Sequence, residues 1–140
     1  MKKQRKYTIT ITQTQAEVMN RALELYSRLK AGQLTELYFE FMNPAKSSRE
    51  LFEVAAKDMK RSLWPDMEYN ASKGIGQDTI ESNGKGDIAW DMHEVLRHRL
   101  AWDKAGNPSQ RDFKTMMGHD YDKPYSWSGH PLAEIKEVKT

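Results

Sequence analysis

The pattern of apolar and polar residues predicts a strand near each end of the chain. Tyr7, Ile9 and Ile11 alternate with threonines over residues 7–12, which is the pattern of a half-buried strand. Residues 132–138 are the second predicted strand, and they could lie beside the first. The two segments together predict a small terminal β-sheet.

Between these strands, apolar residues recur at helical spacing in three longer segments. The first helix begins at Thr12 or Thr14, because residues 12–15 and 14–17 both match a capping box. Gly32 is positioned to end or bend this helix. Residues 34–42 then form a short helical continuation that packs back on the core.

A second capping box, at residues 47–50, marks the start of the next helix. This helix ends before Pro65, because the residue that precedes a proline is pushed out of the helical region. The third long helix covers residues 86–104. The buried face predicted for the second helix consists of Leu51, Phe52, Ala55, Ala56, Met59 and Leu63.

These elements predict an α+β fold, namely a helix-rich single domain with three main helices, a short extra helix and a small terminal β-sheet. The chain of 140 residues has no obvious linker, so residues 7–140 are expected to form one compact domain. Residues 1–6 form a basic N-terminal arm in front of it.

The charge of the chain disfavours nucleic-acid binding. The chain carries 22 basic and 20 acidic side chains, and the arm supplies four of the basic ones, which leaves 18 basic against 20 acidic residues in the rest. A nucleic-acid-binding protein normally concentrates positive charge on a face of its folded body. The absence of cysteine, and of an apolar run near the roughly 20 residues of a membrane span, leads us to expect a cytoplasmic protein.

Cationic and aromatic residues interrupt the apolar face of the third long helix. Arg99 falls near the middle of that face, with Asp103 one turn later, and the two form either a structural ion pair or the edge of an anion-binding pocket. Trp90, His93 and Arg97 form a stripe beside the face that could stack and pair with a nucleotide-like ligand or could pack at the core boundary.

The remaining polar and aromatic residues near this stripe give weaker indications of a binding site. Asp91, Glu94 and His98 are expected to face water. Tyr125 and Trp127 could close over the stripe or belong to the core.

Glycines in residues 72–76 could let backbone amides approach a phosphate. Their spacing matches neither a P-loop nor a dinucleotide fingerprint.

No complete catalytic or metal motif is present. His93 and His98 are five residues apart, which separates them around a helix, and His119, Asp120 and Asp122 have no well-placed partner histidine. The chain has neither a nucleophile elbow nor a cysteine. We therefore expect neither a metal nor a cofactor, and the absent motifs disfavour an enzyme.

Two segments carry a resemblance to a known group of proteins. Residues 22–28 with Gly32 and Gln33, and residues 91–102 with their Arg-His-Arg sequence, resemble small tailed-phage and prophage proteins. The resemblance implies a phage accessory protein in the host bacterial cytosol. Small phage proteins of this kind include counter-defence factors, some of which sequester immune-signalling nucleotides. The resemblance also adds Arg28 and Gln33 to the candidate ligand-binding residues.

The leading hypothesis is a non-enzymatic counter-defence protein that sequesters a small anionic, nucleotide-like ligand, either as a monomer or as a homo-oligomer. One alternative is a protein that inhibits a host defence enzyme through exposed aromatic anchors, and another is a nucleotide-acting hydrolase. The ligand-binding residues predicted under the leading hypothesis are Arg28, Gln33, Trp90, His93, Arg97, Arg99, Tyr125 and Trp127.

Overall fold

The computed structural model describes residues 3–74, 84–105 and 123–139. These residues form four helices, α1 (Gln13–Lys30), α2 (Thr35–Phe41), α3 (Arg49–Leu63) and α4 (Lys85–Ala105). The described part of the chain contains no strand, so the predicted α+β fold with three main helices and a terminal sheet is wrong. None of these described helices has the length and apolar composition needed to cross a membrane.

Both segments predicted as strands lack regular secondary structure. In residues 7–11 the apolar side chains are exposed, with Tyr7 reaching 83%. Residues 132–138 are likewise irregular. Alternation of apolar and polar residues produces a strand only where a neighbouring strand accepts the backbone hydrogen bonds, and the described residues supply none.

The first helix begins at the earlier of its two predicted caps. The Thr12 hydroxyl accepts the backbone N–H of Gln15 at 3.2 Å, and the Gln15 side chain accepts the backbone N–H of Thr12 at 2.9 Å. This reciprocal pair satisfies two backbone donors that a helix N-terminus otherwise leaves free. Gly32 follows the C-terminal end of α1 with a φ of 88°, which confirms the predicted end of the helix at a glycine.

The main packing interaction joins α1 to α4. The buried apolar side chains of the described residues are few: Leu34, Ala56, Ala89 and Leu96. Arg21 connects α1 to α2, because its guanidinium pairs with Glu36 and Glu40 of α2 as well as with Glu24 of its own helix. A small apolar core is thus supplemented by charged contacts between the first two helices.

The end of α3 was predicted correctly, but its N-cap is Ser48 and not the predicted Ser47, and most of its predicted buried face is exposed. The Ser48 hydroxyl accepts the backbone N–H of Leu51, and the helix ends at Leu63. Ala56 is buried, and Phe52 is half-buried with its ring 5.3 Å from that of Tyr38 in α2. The other residues of the predicted face are exposed, including Leu51 at 74%, because α2 reaches only the Phe52 side of the helix.

Candidate anion-binding site

A cavity of about 80 Å³ lies where the C-terminal end of α1 meets the N-terminal end of α4. The turn after α1 and the irregular segment after α3 complete its walls. The residues that line it are Ser27, Arg28, Lys30, Ala31, Gln33, Lys73, Gly74, Gly86, Asp87 and Trp90.

Positive charge predominates around this cavity. Arg28, Lys30 and Lys73 contribute three cationic groups, against the single carboxylate of Asp87. The first turn of α4 borders the cavity, and the N-terminus of a helix carries a partial positive charge. The residues that surround the cavity therefore favour an anion.

Arg28 is held in a fixed orientation at this site. Its Nε donates to Glu24 at 3.0 Å, its Nη1 donates to the Gln33 side-chain oxygen at 3.0 Å, and its Cζ lies 5.6 Å from the centre of the Trp90 ring. Burial alone would raise the pKa of Glu24, but hydrogen bonds from Arg28 and Arg21, with the charge of Arg28, hold that pKa below its ordinary value. The pairing keeps Glu24 ionised and Arg28 oriented.

Three of the predicted ligand residues thus meet at one cavity. Arg28 and Gln33 come from the first segment of the phage resemblance, and Trp90 comes from α4. The Gln33 amide also donates to the Ser72 hydroxyl at 3.4 Å, which brings the segment containing Lys73 against the same wall. The prediction that residues near 72–76 approach an anion site is tested only at Lys73 and Gly74, because residues 75–76 lie outside the described residues.

His93 and Arg97 lie beside Trp90 and do not line the cavity. The His93 ring is 2% exposed, lies 5.0 Å from the Trp90 ring and donates from Nδ1 to the Asn20 side-chain oxygen of α1 at 2.7 Å. The Arg97 Cζ lies 5.8 Å from the Trp90 ring centre. Trp90 is therefore surrounded by an imidazole and two guanidinium groups, and its buried indole nitrogen has no hydrogen-bond partner within the described residues.

Burial lowers the pKa of His93 to about 4. The neighbouring charges of Arg97 and Arg28 act in the same direction, while Glu24 and the hydrogen bond to Asn20 oppose it. At neutral pH the ring is therefore uncharged, and its Nδ1 proton is directed at Asn20. His93 joins α1 to α4 beside the cavity through Asn20, a partner that the sequence pattern did not indicate.

Arg99 forms a structural ion pair with Asp103, which was one of the two alternatives predicted for it; the other was the edge of an anion-binding pocket. Its Nε and Nη2 donate to the two carboxylate oxygens of Asp103 at 3.0 and 2.9 Å, and Nη2 lies 3.9 Å from a Glu137 oxygen. This bidentate pair is partly exposed to solvent, and Arg99 is not among the residues that line the cavity.

Tyr125 and Trp127 form an exposed aromatic pair instead of a cover for Trp90. Their rings are 5.0 Å apart in a T-shaped arrangement, and the Tyr125 side chain is 64% exposed. The Trp127 indole N–H donates to Glu94 at 3.3 Å. Burial raises the pKa of Glu94, although this hydrogen bond opposes the shift.

Asp91, which was expected to face water, is buried under the C-terminal segment. Its Oδ1 accepts the backbone N–H of Trp127 at 2.8 Å, and its Oδ2 accepts the N–H and the hydroxyl of Ser128 at 3.1 and 2.5 Å. The Ser126 hydroxyl lies 3.5 Å from the same oxygen. A carboxylate that accepts several hydrogen bonds fixes a segment of chain that has no regular structure of its own.

The sequence analysis did not identify Lys60 as a residue of interest. Lys60 is the most deeply buried charged residue of the described chain, at 1% exposure. Its ammonium donates to the backbone carbonyls of Gly32 at 2.8 Å, of Tyr69 at 2.9 Å and of Ala71. Burial lowers the pKa of Lys60. No helical-wheel pattern could reveal this role, because main-chain acceptors leave no signature in the sequence.

No metal site can be assigned within the described residues. They contain no group of three or more His, Asp or Glu side chains placed to hold a metal ion. The weak candidates His119, Asp120 and Asp122 lie outside the described residues.

Comparison with known proteins found no relative for this chain. No family model matches it, and neither the curated proteins nor the solved structures give a match. The likeness to phage accessory proteins therefore stays a prediction, and the function has to be inferred from the site itself.

Proposed function

We propose that this chain is a non-enzymatic binding protein for a small anionic, nucleotide-like ligand whose phosphate group enters the cavity between α1 and α4. One observation carries the proposal: Arg28 and Gln33, selected from one sequence segment, and Trp90, selected from another, line the same cavity together with Lys30 and Lys73. Cationic groups converging on a small recess provide the charge-assisted hydrogen bonds that a phosphate accepts.

The size of the cavity limits what it encloses. Pockets that surround a drug-sized ligand have volumes of roughly 300–1,000 Å³, whereas this one measures about 80 Å³. It therefore suits one phosphate group, with the sugar and base of the ligand outside.

In this proposal Trp90 supports the cationic groups and does not stack the base. The guanidinium of Arg28 lies over the Trp90 ring, and that of Arg97 lies at a similar distance. Cation–π contacts of this kind orient an arginine while leaving its N–H groups directed elsewhere. Arg28, Lys30, Lys73 and Gln33 would contact the ligand, while Trp90, His93 and Arg97 would hold that wall in place.

The resemblance to phage accessory proteins supplies the biological role in the proposal. Sequestration of a signalling nucleotide in the host cytosol requires tight binding without turnover. A thermal-shift screen against linear nucleotides, cyclic nucleotides and inorganic phosphate tests the binding. A ligand present at about 100 times its Kd and bound only by the folded chain stabilises it by about 2.7 kcal/mol.

The screen also separates the alternatives. Stabilisation by nucleotides, with the nucleotide recovered unchanged by mass spectrometry, is the expected result. Recovery of a hydrolysed product would replace the proposal with the nucleotide-acting hydrolase. No stabilisation by any member of the panel would contradict the proposal.

The exposed pair of Tyr125 and Trp127 favours inhibition of a host protein as a second candidate function. Aromatic side chains dominate the energetics of many protein interfaces. This pair is exposed while its backbone is held by Asp91, so it is a preorganised anchor. Capture of a host protein by the native chain and its loss in Tyr125→Ala, without any nucleotide-induced thermal shift, would support this function.

A further inference from the structure

The ammonium of Lys60 has a complete set of partners, all of them backbone carbonyls. An ammonium has three N–H donors, and the three acceptors belong to Gly32, Tyr69 and Ala71. A buried charge usually requires a counter-charge or a full set of hydrogen bonds, because its desolvation costs several kcal/mol. Here the carbonyl dipoles provide that compensation.

The three carbonyls belong to two segments that each contribute residues to the cavity wall. Gly32 immediately precedes Gln33, and Ala71 lies two residues before Lys73. The segments also touch directly, through the backbone N–H of Lys73 and the Ala31 carbonyl at 2.8 Å. The Lys60 side chain is thus bonded to both segments from the side of α3.

Close packing at Gly32 shows how tightly this contact is made. A Cβ atom at that position would lie 2.9 Å from the Met67 sulfur and 3.6 Å from both Cε and Nζ of Lys60. The turn after α1 therefore rests against the Lys60 side chain, so a displacement of the ammonium would displace the turn that carries Gln33.

We infer that Lys60 is a positioning residue for the anion cavity, which sets the separation of Gln33 and Lys73 without contacting the ligand. This inference rests on the proposed function. Loss of the ammonium would remove the three carbonyl contacts and loosen the segment of residues 69–73 against the turn after α1, where the Lys73–Ala31 backbone hydrogen bond remains. Lys73 would then be held less firmly at the cavity, and the contribution of one of the three cationic groups would weaken.

The test compares Lys60→Met with Arg61→Met. Methionine retains much of the side-chain stem but donates no hydrogen bond. Arg61 is a cationic residue on the same helix whose side chain is 71% exposed and pairs with Asp58, so its replacement removes the same charge and leaves the three carbonyl contacts intact. Hydrogen–deuterium exchange and the affinity for adenosine 5′-monophosphate are measured for both variants and for the native chain.

In Lys60→Met we expect amide exchange in residues 31–34 and 69–73 to accelerate about tenfold or more, with α1 and α4 unchanged, and affinity for adenosine 5′-monophosphate to fall about tenfold. Arg61→Met should behave as the native chain does in both measurements. If Lys60→Met does not fold, Lys60→Gln, which retains two N–H donors, takes its place with a smaller expected change.

Three results would overturn the inference. These are unchanged exchange in both segments, equally faster exchange in all four helices, and local acceleration with unchanged nucleotide affinity. Failure of the native chain to bind any nucleotide would instead reject the proposed function. The exchange pattern would still decide whether Lys60 fixes the two segments.

Discussion

Asp91 holds Ser128 through a single carboxylate oxygen, which accepts both the backbone N–H and the hydroxyl of that serine. The other carboxylate oxygen accepts the backbone N–H of Trp127. A residue in the middle of α4 thereby determines where the irregular C-terminal segment lies. The orientation of the aromatic pair at Tyr125 and Trp127 depends on the same carboxylate.

Asp91→Asn should destabilise the protein by about 1–3 kcal/mol, because the amide replaces one acceptor oxygen with a donor that faces other donors. Urea denaturation measures the free energy of unfolding. Asp103→Asn is the matched control, since it alters a partly exposed ion pair and should cost less than about 1 kcal/mol. Equal losses in the two variants would show that the buried hydrogen bonds of Asp91 contribute nothing beyond an ordinary surface pair.

His93 should make the protein sensitive to mild acid. Its folded-state pKa is lowered from 6.5 to about 4, so between these values the unfolded chain binds a proton that the folded chain does not. The contribution of His93 to the free energy of unfolding is therefore fully present above about pH 6.5. It falls by about 3 kcal/mol as the pH decreases to about 4.

The contribution of His93 can be separated from that of the carboxylates by comparing variants over the same pH range. His93→Gln should lose less stability than the native chain between pH 6.5 and 4, in denaturation experiments at each pH. His130→Gln, at an exposed histidine, should follow the native curve. Parallel curves for native protein and His93→Gln would contradict the prediction.

Gly32 and Gly129 allow the backbone and packing costs of an added methyl group to be separated. Both have positive φ values, 88° and 76°, so alanine at either position should cost about 1–2 kcal/mol from its backbone conformation. Only at Gly32 would the new Cβ collide, with the Met67 sulfur at 2.9 Å. We expect Gly32→Ala to unfold at a lower urea concentration than Gly129→Ala. The opposite order would mean that the Met67 side chain moves aside without cost.

Arg28 and Arg99 should differ in their effect on nucleotide binding. Arg28→Ala removes a cationic group from the cavity and should weaken nucleotide affinity at least about tenfold, as measured by calorimetry. Arg99→Ala breaks the ion pair with Asp103 outside the cavity and should change affinity less than about twofold. A larger loss in Arg99→Ala would place the ligand on the other part of α4.

The helices could be predicted because their signals are local. The Thr12 hydroxyl and the glycine at position 32 act on backbone groups within a few residues, so the sequence alone places both ends of α1. The predicted N-cap of α3, Ser47, is one residue before the observed one, Ser48. Local signals of this kind could not decide whether the two predicted strands form. Residues 7–12 have a strand pattern, but a strand also requires a partner that the pattern does not specify.

The cavity was only partly predictable for the same reason. Arg28 and Gln33 were identified through a resemblance and Trp90 through its position on a helix, but their meeting at one recess depends on how α1 packs against α4. Asp91 was expected in water because helical spacing describes only one helix. Its hydrogen-bond donors lie about 36 residues further along the chain, in a segment without helical or strand periodicity.

The way Lys60 is bound affects how this contact would be recognised among related sequences. Its acceptors are main-chain carbonyl groups, which almost any amino acid supplies, so the side chains at positions 69 and 71 are free to diverge without altering it. Pairs of positions that change together reveal contacts between side chains. This contact would be recorded only as an invariant lysine with no covarying partner, and a search for correlated substitutions would pass over it.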